Sequence, residues 1–150
     1  MSERTIATPF GPMLLVADEG RLLRFSPGSG GNDTTPLLLE AERQLREYFS
    51  GQRKNFALPL APAGTQFQQR VWDALCTIPY GETRSYGEIA AQIGSPKASR
   101  SVGAANHSNP LLIFIPCHRV IGANRKLTGY AGGLNMKSAL LALEASGLSK

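Results

Sequence analysis

Residues 111–115, Leu-Leu-Ile-Phe-Ile, are five consecutive apolar side chains, and Pro116 follows them directly. A run with no polar position has no face to offer to water, so it must be covered on both sides. Its β-branched members make a short buried strand the expected conformation. Proline cannot donate to a sheet ladder, so the strand is expected to end at Pro116 and the chain to turn at Cys117. His118 and Arg119 come next.

The chain has 150 residues, 42% of them apolar, enough for one compact domain or two small packed lobes. No apolar run approaches the roughly 18 residues of a membrane span. Glu3 and Pro9 interrupt the stretch where a signal peptide would need an apolar core, so a cytoplasmic protein without membrane attachment is expected. Cys76 and Cys117 are the two cysteines and His107 and His118 the two histidines. A disulfide framework, a metal site and a bound cofactor are therefore not expected. The net charge of +5 points weakly to an anionic partner such as nucleic acid.

Short apolar runs near the N-terminus read as two or three strands, with Asp18, Glu19 and Gly20 as a hairpin turn. A glycine-rich loop follows at 27–32. Leu38, Ala41, Leu45 and Tyr48 or Phe49 then recur at helical spacing, with Gly51 placed to end the helix. After the proline-containing connector, Thr65 and Gln68 form a candidate capping box ahead of a stripe of Phe67, Val71, Ala74, Leu75 and Ile78. The lobe boundary is placed there, giving 1–62 and 63–150. Cys76 lies beside this stripe and reads as a small helix-packing residue.

Ser85 and Glu88 make a second capping box, opening a helix of about two turns closed by Gly94. Ser95 and Pro96 are expected as N-cap and first residue of the next helix. Two short helices across a tight turn form a helix-turn-helix pattern. Small residues, Ala98, Ser99, Ser101, Gly103, Ala104 and Ala105, dominate the second helix around Lys97 and Arg100. They would let it approach a nucleic-acid groove or a neighbouring helix closely.

If residues 116–122 begin a short helix, Cys117 sits in its first turn, where free N–H groups and the helix dipole would lower the thiol pKa and make the sulfur nucleophilic. His118 is a candidate base. Sequence neighbours point in different directions, so a bridging water is the easier route between them. A third group should hold the imidazole, and Glu144 falls on the inward stripe of the C-terminal helix with Leu140 and Leu141. Asn109, before Pro110, can satisfy backbone groups of a turn. Singly, each of these residues also has a purely structural reading. One set of assumptions places them all.

The segments NPLLIFIPCHRVI, SYGEIA, KASRSVGAANHSNP, GYAGG and LLALE together closely resemble the O6-alkylguanine-DNA alkyltransferases, strongly over about residues 65–146 and loosely before that. The resemblance implies an α+β fold. Its N-terminal lobe would be RNase-H-like, with antiparallel strands plus a helix, and its C-terminal lobe mainly helical with a winged-helix-like helix-turn-helix. It implies irreversible, single-turnover transfer of a methyl or other alkyl group from guanine O6 in double-stranded DNA to Cys117. His118 would be the water-mediated base, Glu144 its polarising partner and Asn109 the support of the active-site turn. Tyr86 would help to rotate the nucleotide out and donate toward guanine N3, and Arg100 would fill the gap in the base stack. Ser95, Ala98, Ser99 and Gly103 would accompany them against the minor groove, and Val120, Tyr130, Ala131 and Gly132 would line the base pocket with Tyr86. Some relatives carry a serine at the place of Ala131, which leaves a backbone N–H to serve there. A monomer is expected, acting without cofactor or metal.

Three other readings are a damage binder without transfer, a plain helix-turn-helix regulator and a thiol hydrolase. The first normally lacks the acceptor cysteine, the second leaves Cys117, His118 and Glu144 unexplained, and the third would turn over repeatedly without regard to DNA.

Overall fold

The structure is a computed structural model that describes residues 1–122 and 133–147. Three strands, β1 (Ser2–Thr8), β2 (Gly11–Asp18) and β3 (Arg21–Pro27), form an antiparallel sheet in the order β1-β2-β3. Ile6 on β1 and Met13, Leu15 and Ala17 on β2 face the core with the period of two that a one-sided sheet requires. On β3 the buried residues are Leu22 and Phe25, three apart, which a flat strand would place on opposite faces. A register shift resolves this: Ala17 pairs with Leu22 and Val16 with Arg24, so Leu23 is an extra residue that returns Phe25 to the core side. The β2–β3 turn has Glu19 at φ 50° and Gly20 at φ 74°, both left-handed, as a tight hairpin of native twist needs.

Helix α1 (Pro36–Phe49) begins with Thr35 accepting from Leu38 N and Pro36 in the first turn. Its buried stripe Leu38, Ala41, Leu45 and Tyr48 packs into the same core as the sheet. Truncating a residue such as Leu45 to alanine would cost about 2–5 kcal/mol. Beyond α1 the connector returns to β3, with Leu22 N donating to Pro59 O and Ala61 N to Leu22 O.

The helical part comprises α2 (Gln66–Leu75), the two-residue strand β4 (Arg84–Ser85), α3 (Tyr86–Gln92), α4 (Ser99–His107), a single 3-10 turn (Cys117–Arg119), the two-residue strand β5 (Val120–Ile121) and α5 (Leu134–Gly147). Both capping boxes are present, Thr65 with Gln68 and Ser85 with Glu88. β4 and β5 pair in parallel, Arg84 with Val120 and Ser85 with Ile121. Trp72 Nε1 donates to Ala105 O at 2.9 Å, tying α2 to α4. No helix among the described residues is long and apolar enough to cross a membrane.

Three expectations are corrected. Ser95 and Pro96 do not open α4, which starts at Ser99 with Ala98 as N-cap. They belong instead to a turn closed by Ala98 N donating to Ser95 O at 2.9 Å, a position that suits proline equally well. Cys76 is the exposed C-cap residue of α2 rather than a packing residue. The run 111–115 is buried throughout but is not a strand. Leu111 makes one bridge to Phe25, and the chain then coils, with Phe114 N donating to Leu112 O and Ile115 N to Leu111 O. Ile113 takes φ 73°, a left-handed conformation that costs a β-branched residue on the order of 1–3 kcal/mol.

Candidate active site

Asn109 holds that coil together from inside. Its Nδ2 donates to Ile115 O (2.9 Å) and Leu111 O (3.3 Å), and its Oδ1 accepts from Leu111 N (3.0 Å). The same Nδ2 lies 3.0 Å from Cys117 Sγ. One buried amide thus substitutes for the ladder that the run would otherwise need, and also touches the thiol.

Cys117 is fully buried and opens a 3-10 turn of three residues. Its own N–H is taken by Ile115 O at 2.7 Å. The expected lowering of the thiol pKa by a helix N-terminus is corrected here. Burial pushes the thiol up to about 12, against the hydrogen bond from Asn109 and the charge of Lys137. Desolvation thus favours the protonated thiol in the resting site. Behind it, Asn106 of α4 donates from Nδ2 to Cys117 O at 3.3 Å, so the second helix of the helix-turn-helix is fastened to the turn that carries the thiol.

Glu144, on α5, is 1% exposed and collects five hydrogen bonds. Its Oε2 accepts from Tyr48 Oη (2.6 Å) and Arg119 Nη2 (3.0 Å) and lies 2.7 Å from His118 Nε2. Its Oε1 accepts from Arg119 Nε (2.8 Å) and Gly81 N (3.1 Å). Burial would raise the carboxyl pKa, but the hydrogen bonds and charges of His118 and Arg119 outweigh it and hold the group down to about 2. His118 is also fully buried, and burial pulls its pKa down despite the support of Glu144. Burial thus favours the neutral imidazole, which Glu144 holds in a fixed orientation as a proton acceptor.

Three members of this cluster escape a reading of the sequence. Arg119 forms the bidentate pair with Glu144 and also donates to Ile78 O at 2.6 Å. Its only signal was adjacency to His118. Tyr48 lies on the stripe of α1, where a buried hydroxyl should find a partner. Lys137 is fully buried on α5, its ammonium pushed by burial down to about 8 and the Cys117 sulfur acting against that. Lys137, Leu140 and Glu144 stand at i, i+3 and i+7, so periodicity would have placed the lysine inward.

The remaining site candidates lie on the helix pair and beside it. Tyr86 begins α3 half-buried, and a Cβ on Gly103 of α4 would sit 3.8 Å from its ring. Ser95 and Ala98 are half-buried in the turn, and Ser99 and Arg100 are exposed on the first turn of α4. Val120 is buried on β5. Tyr130, Ala131 and Gly132 lie outside the described residues. No cluster of three or more potential metal ligands occurs among the described residues.

Residues 1–62 match the family model described as the ribonuclease-like domain of 6-O-methylguanine DNA methyltransferase, and residues 66–146 match the model for its DNA binding domain. The chain is similar to a methylated-DNA–protein-cysteine methyltransferase of Methanosarcina acetivorans, 54% identical over 93% of this chain and 95% of the relative. It is also similar to the constitutive enzyme of that name from Bacillus subtilis, 50% identical over 93% of each. Among solved structures, the crystal structure of Mycobacterium tuberculosis OGT in complex with DNA superposes with a TM-score of 0.89, at 51% identity over 97% of this chain and 93% of that one.

Proposed function

The chain belongs to the methylated-DNA–protein-cysteine methyltransferase family and acts in repair of alkylated DNA, and within that activity we propose that Cys117 is the acceptor in a single, irreversible transfer from O6 of guanine. The observation that carries the reading is one buried turn that bears both the Asn109–Cys117 contact and the His118–Glu144 pair on successive residues, fastened to the helix-turn-helix by Asn106.

In this mechanism His118 takes the thiol proton through a water molecule. Because Nε2 is engaged by Glu144, the exchange runs through Nδ1. Glu144, ionised at neutral pH, stabilises the imidazolium that forms. Asn109 and the Lys137 ammonium favour the emerging thiolate, which burial disfavours until substrate is in place. The sulfur attacks the alkyl carbon, the carbon–O6 bond breaks with its electron pair going to the base, and guanine leaves. Tyr86 gives its phenolic proton to N3 of the leaving base, and the proton held by the His118 imidazolium, relayed through water, restores the phenol. The net change is one S–C bond for one O–C bond, with the thiol proton ending on guanine. No step restores the thiol, so each molecule acts once.

A sulfur at the bottom of a buried turn cannot reach O6 of a stacked base, so the nucleotide must leave the duplex. The small residues of α4 suit approach to the minor groove, with Arg100 filling the vacated stack and Ser95, Ala98, Ser99 and Gly103 near the backbone. Val120 and Tyr86 are the described residues assigned to the base pocket; Tyr130, Ala131 and Gly132, assigned to it by the family resemblance, lie outside the described residues. The reading includes a monomer in the cytoplasm, divided at 62/63 and working without cofactor or metal.

The test is incubation with a duplex oligonucleotide carrying O6-methylguanine, followed by mass spectrometry. The expected result is one methyl group on the Cys117 peptide and none on Cys117→Ala, which still binds the duplex. Removal of more than one methyl group per protein molecule would exclude single use.

A further inference from the structure

Tyr48 stands 96 residues from Glu144 in sequence, on a helix that packs against the β-sheet, yet its hydroxyl donates to Glu144 Oε2 at 2.6 Å. It is fully buried, and its ring is enclosed by Phe49, Phe56 and Tyr80 at centroid distances of 5.3–6.2 Å. Apolar packing at this place would be served as well by phenylalanine. Instead the sequence places a hydroxyl on the oxygen that His118 also uses.

We propose that Tyr48 is a positioning residue for alkyl transfer: its hydroxyl fixes the Glu144 carboxylate and competes with His118 for Oε2, so that the N-terminal lobe tunes the base of the active site. The inference rests on the roles given above to His118 and Glu144. Every charged or titratable group facing the pair has a definable part. From α1 comes Tyr48. From the segment after α2 come Gly81 N–H and the Tyr80 ring, over which Arg119 sits at 5.8 Å and Lys54 at 5.7 Å. From the 3-10 turn comes Arg119, and from α5 the Lys137 charge, which like that of Arg119 disfavours protonation of His118. Among these, Tyr48 is the neutral donor whose strength can be altered without adding or deleting a charge.

The sign follows from the sharing of one oxygen. A donor withdrawn from Oε2 leaves the carboxylate a stronger acceptor for His118 Nε2–H, which favours the imidazolium. A larger fraction of His118 is then protonated at a given pH and unable to take the thiol proton. The acid limb of the transfer rate therefore moves to higher pH. A stronger donor at position 48 moves it to lower pH.

The experiment measures single-turnover methyl transfer from an O6-methylguanine duplex against pH in the full chain. It compares Tyr48→Phe, Glu144→Gln and a protein with 3-fluorotyrosine incorporated site-specifically at position 48, a more acidic phenol of nearly the same shape. Expected are shifts of the acid midpoint of about half a pH unit, upward for Tyr48→Phe and downward for the fluorinated protein. On the acid limb this is about a threefold slower or faster rate. Circular dichroism and melting establish that each variant is folded, and the fluorinated protein decides the matter if Tyr48→Phe is not. Unchanged midpoints beside a Glu144→Gln variant that has lost its rate would make Tyr48 a packing residue only. A Glu144→Gln variant with the parental rate would overturn the reading of the site itself, and the role of Tyr48 with it.

Discussion

Asn109 Nδ2 touches Cys117 Sγ at 3.0 Å while bonding Ile115 O at 2.9 Å, so the group that meets the sulfur also closes the turn on which the sulfur is mounted. Stability and reactivity are coupled at this residue. Asn109→Ala removes the acceptor of the buried Leu111 N–H and the side chain filling the turn, and should destabilise the fold by roughly 3 kcal/mol. Asn109→Asp keeps an acceptor for Leu111 N but offers the sulfur an acceptor in place of a donor. It should slow transfer by about tenfold or more. Urea unfolding and single-turnover kinetics on both variants separate the two effects.

Acid should unfold this protein in two stages. His118 has a depressed pKa in the fold, so the unfolded chain binds its proton first and stability begins to fall as pH drops below about 6.5. Glu144 is also depressed, from 4.5 to about 2, so its contribution is complete above about 4.5 and is lost as pH falls through about 2. That second contribution is on the order of 3 kcal/mol at neutral pH. Glu144→Gln should flatten the stability profile between pH 4.5 and 2. A variant with the same slope there as the parent would show that the acid loss lies elsewhere.

Arg100 is exposed at the start of α4, with no packing role to lose. Arg100→Ala should leave the melting temperature within about 1 °C, since surface changes of this kind stay within ±0.5 kcal/mol. Repair in duplex DNA should nevertheless slow far more than reaction with free O6-methylguanine, because only the duplex requires unstacking at a few kcal/mol. Equal slowing on the two substrates would remove Arg100 from the stack.

Methylation of Cys117 should destabilise the protein. The sulfur is fully buried, so an added methyl asks for volume in a packed turn, at about 1–3 kcal/mol, and it crowds the Asn109 amide. Charge contributes little to this difference, because desolvation already favours the protonated thiol in the resting site. Thermal unfolding of the methylated and free protein, each without DNA, gives the comparison. An equal or higher midpoint after methylation would contradict the packing argument.

What the sequence by itself determined is what neighbouring residues settle among themselves. Thr65 with Gln68 and Ser85 with Glu88 satisfy orphan N–H groups within one turn, and Asp18-Glu19-Gly20 supplies the left-handed residues of a hairpin. The stripes on α1 and α5 follow from a period of 3.6, which is why Glu144 could be placed inward without knowing its partners. The motif around Cys117 likewise marks the chemistry, since thiol, imidazole and carboxylate are legible as residue types.

Tertiary structure decided the rest, because periodicity shows which side chains turn inward but not which groups they meet there or how fully they are desolvated. A continuous apolar run is equally consistent with a strand and a buried coil. Here the coil prevails because Asn109 satisfies its backbone from inside and β3 offers only one bridge, at Phe25. The thiol pKa moved opposite to the expected direction, since full desolvation of Cys117 exceeds what one 3-10 turn can supply. Ser95-Pro96 is as good a turn as it is a helix start, and in the folded chain it is the turn between α3 and α4. The five donors on Glu144 come from α1, the segment after α2 and the turn at Cys117, brought to one carboxylate only by the packing of the whole chain.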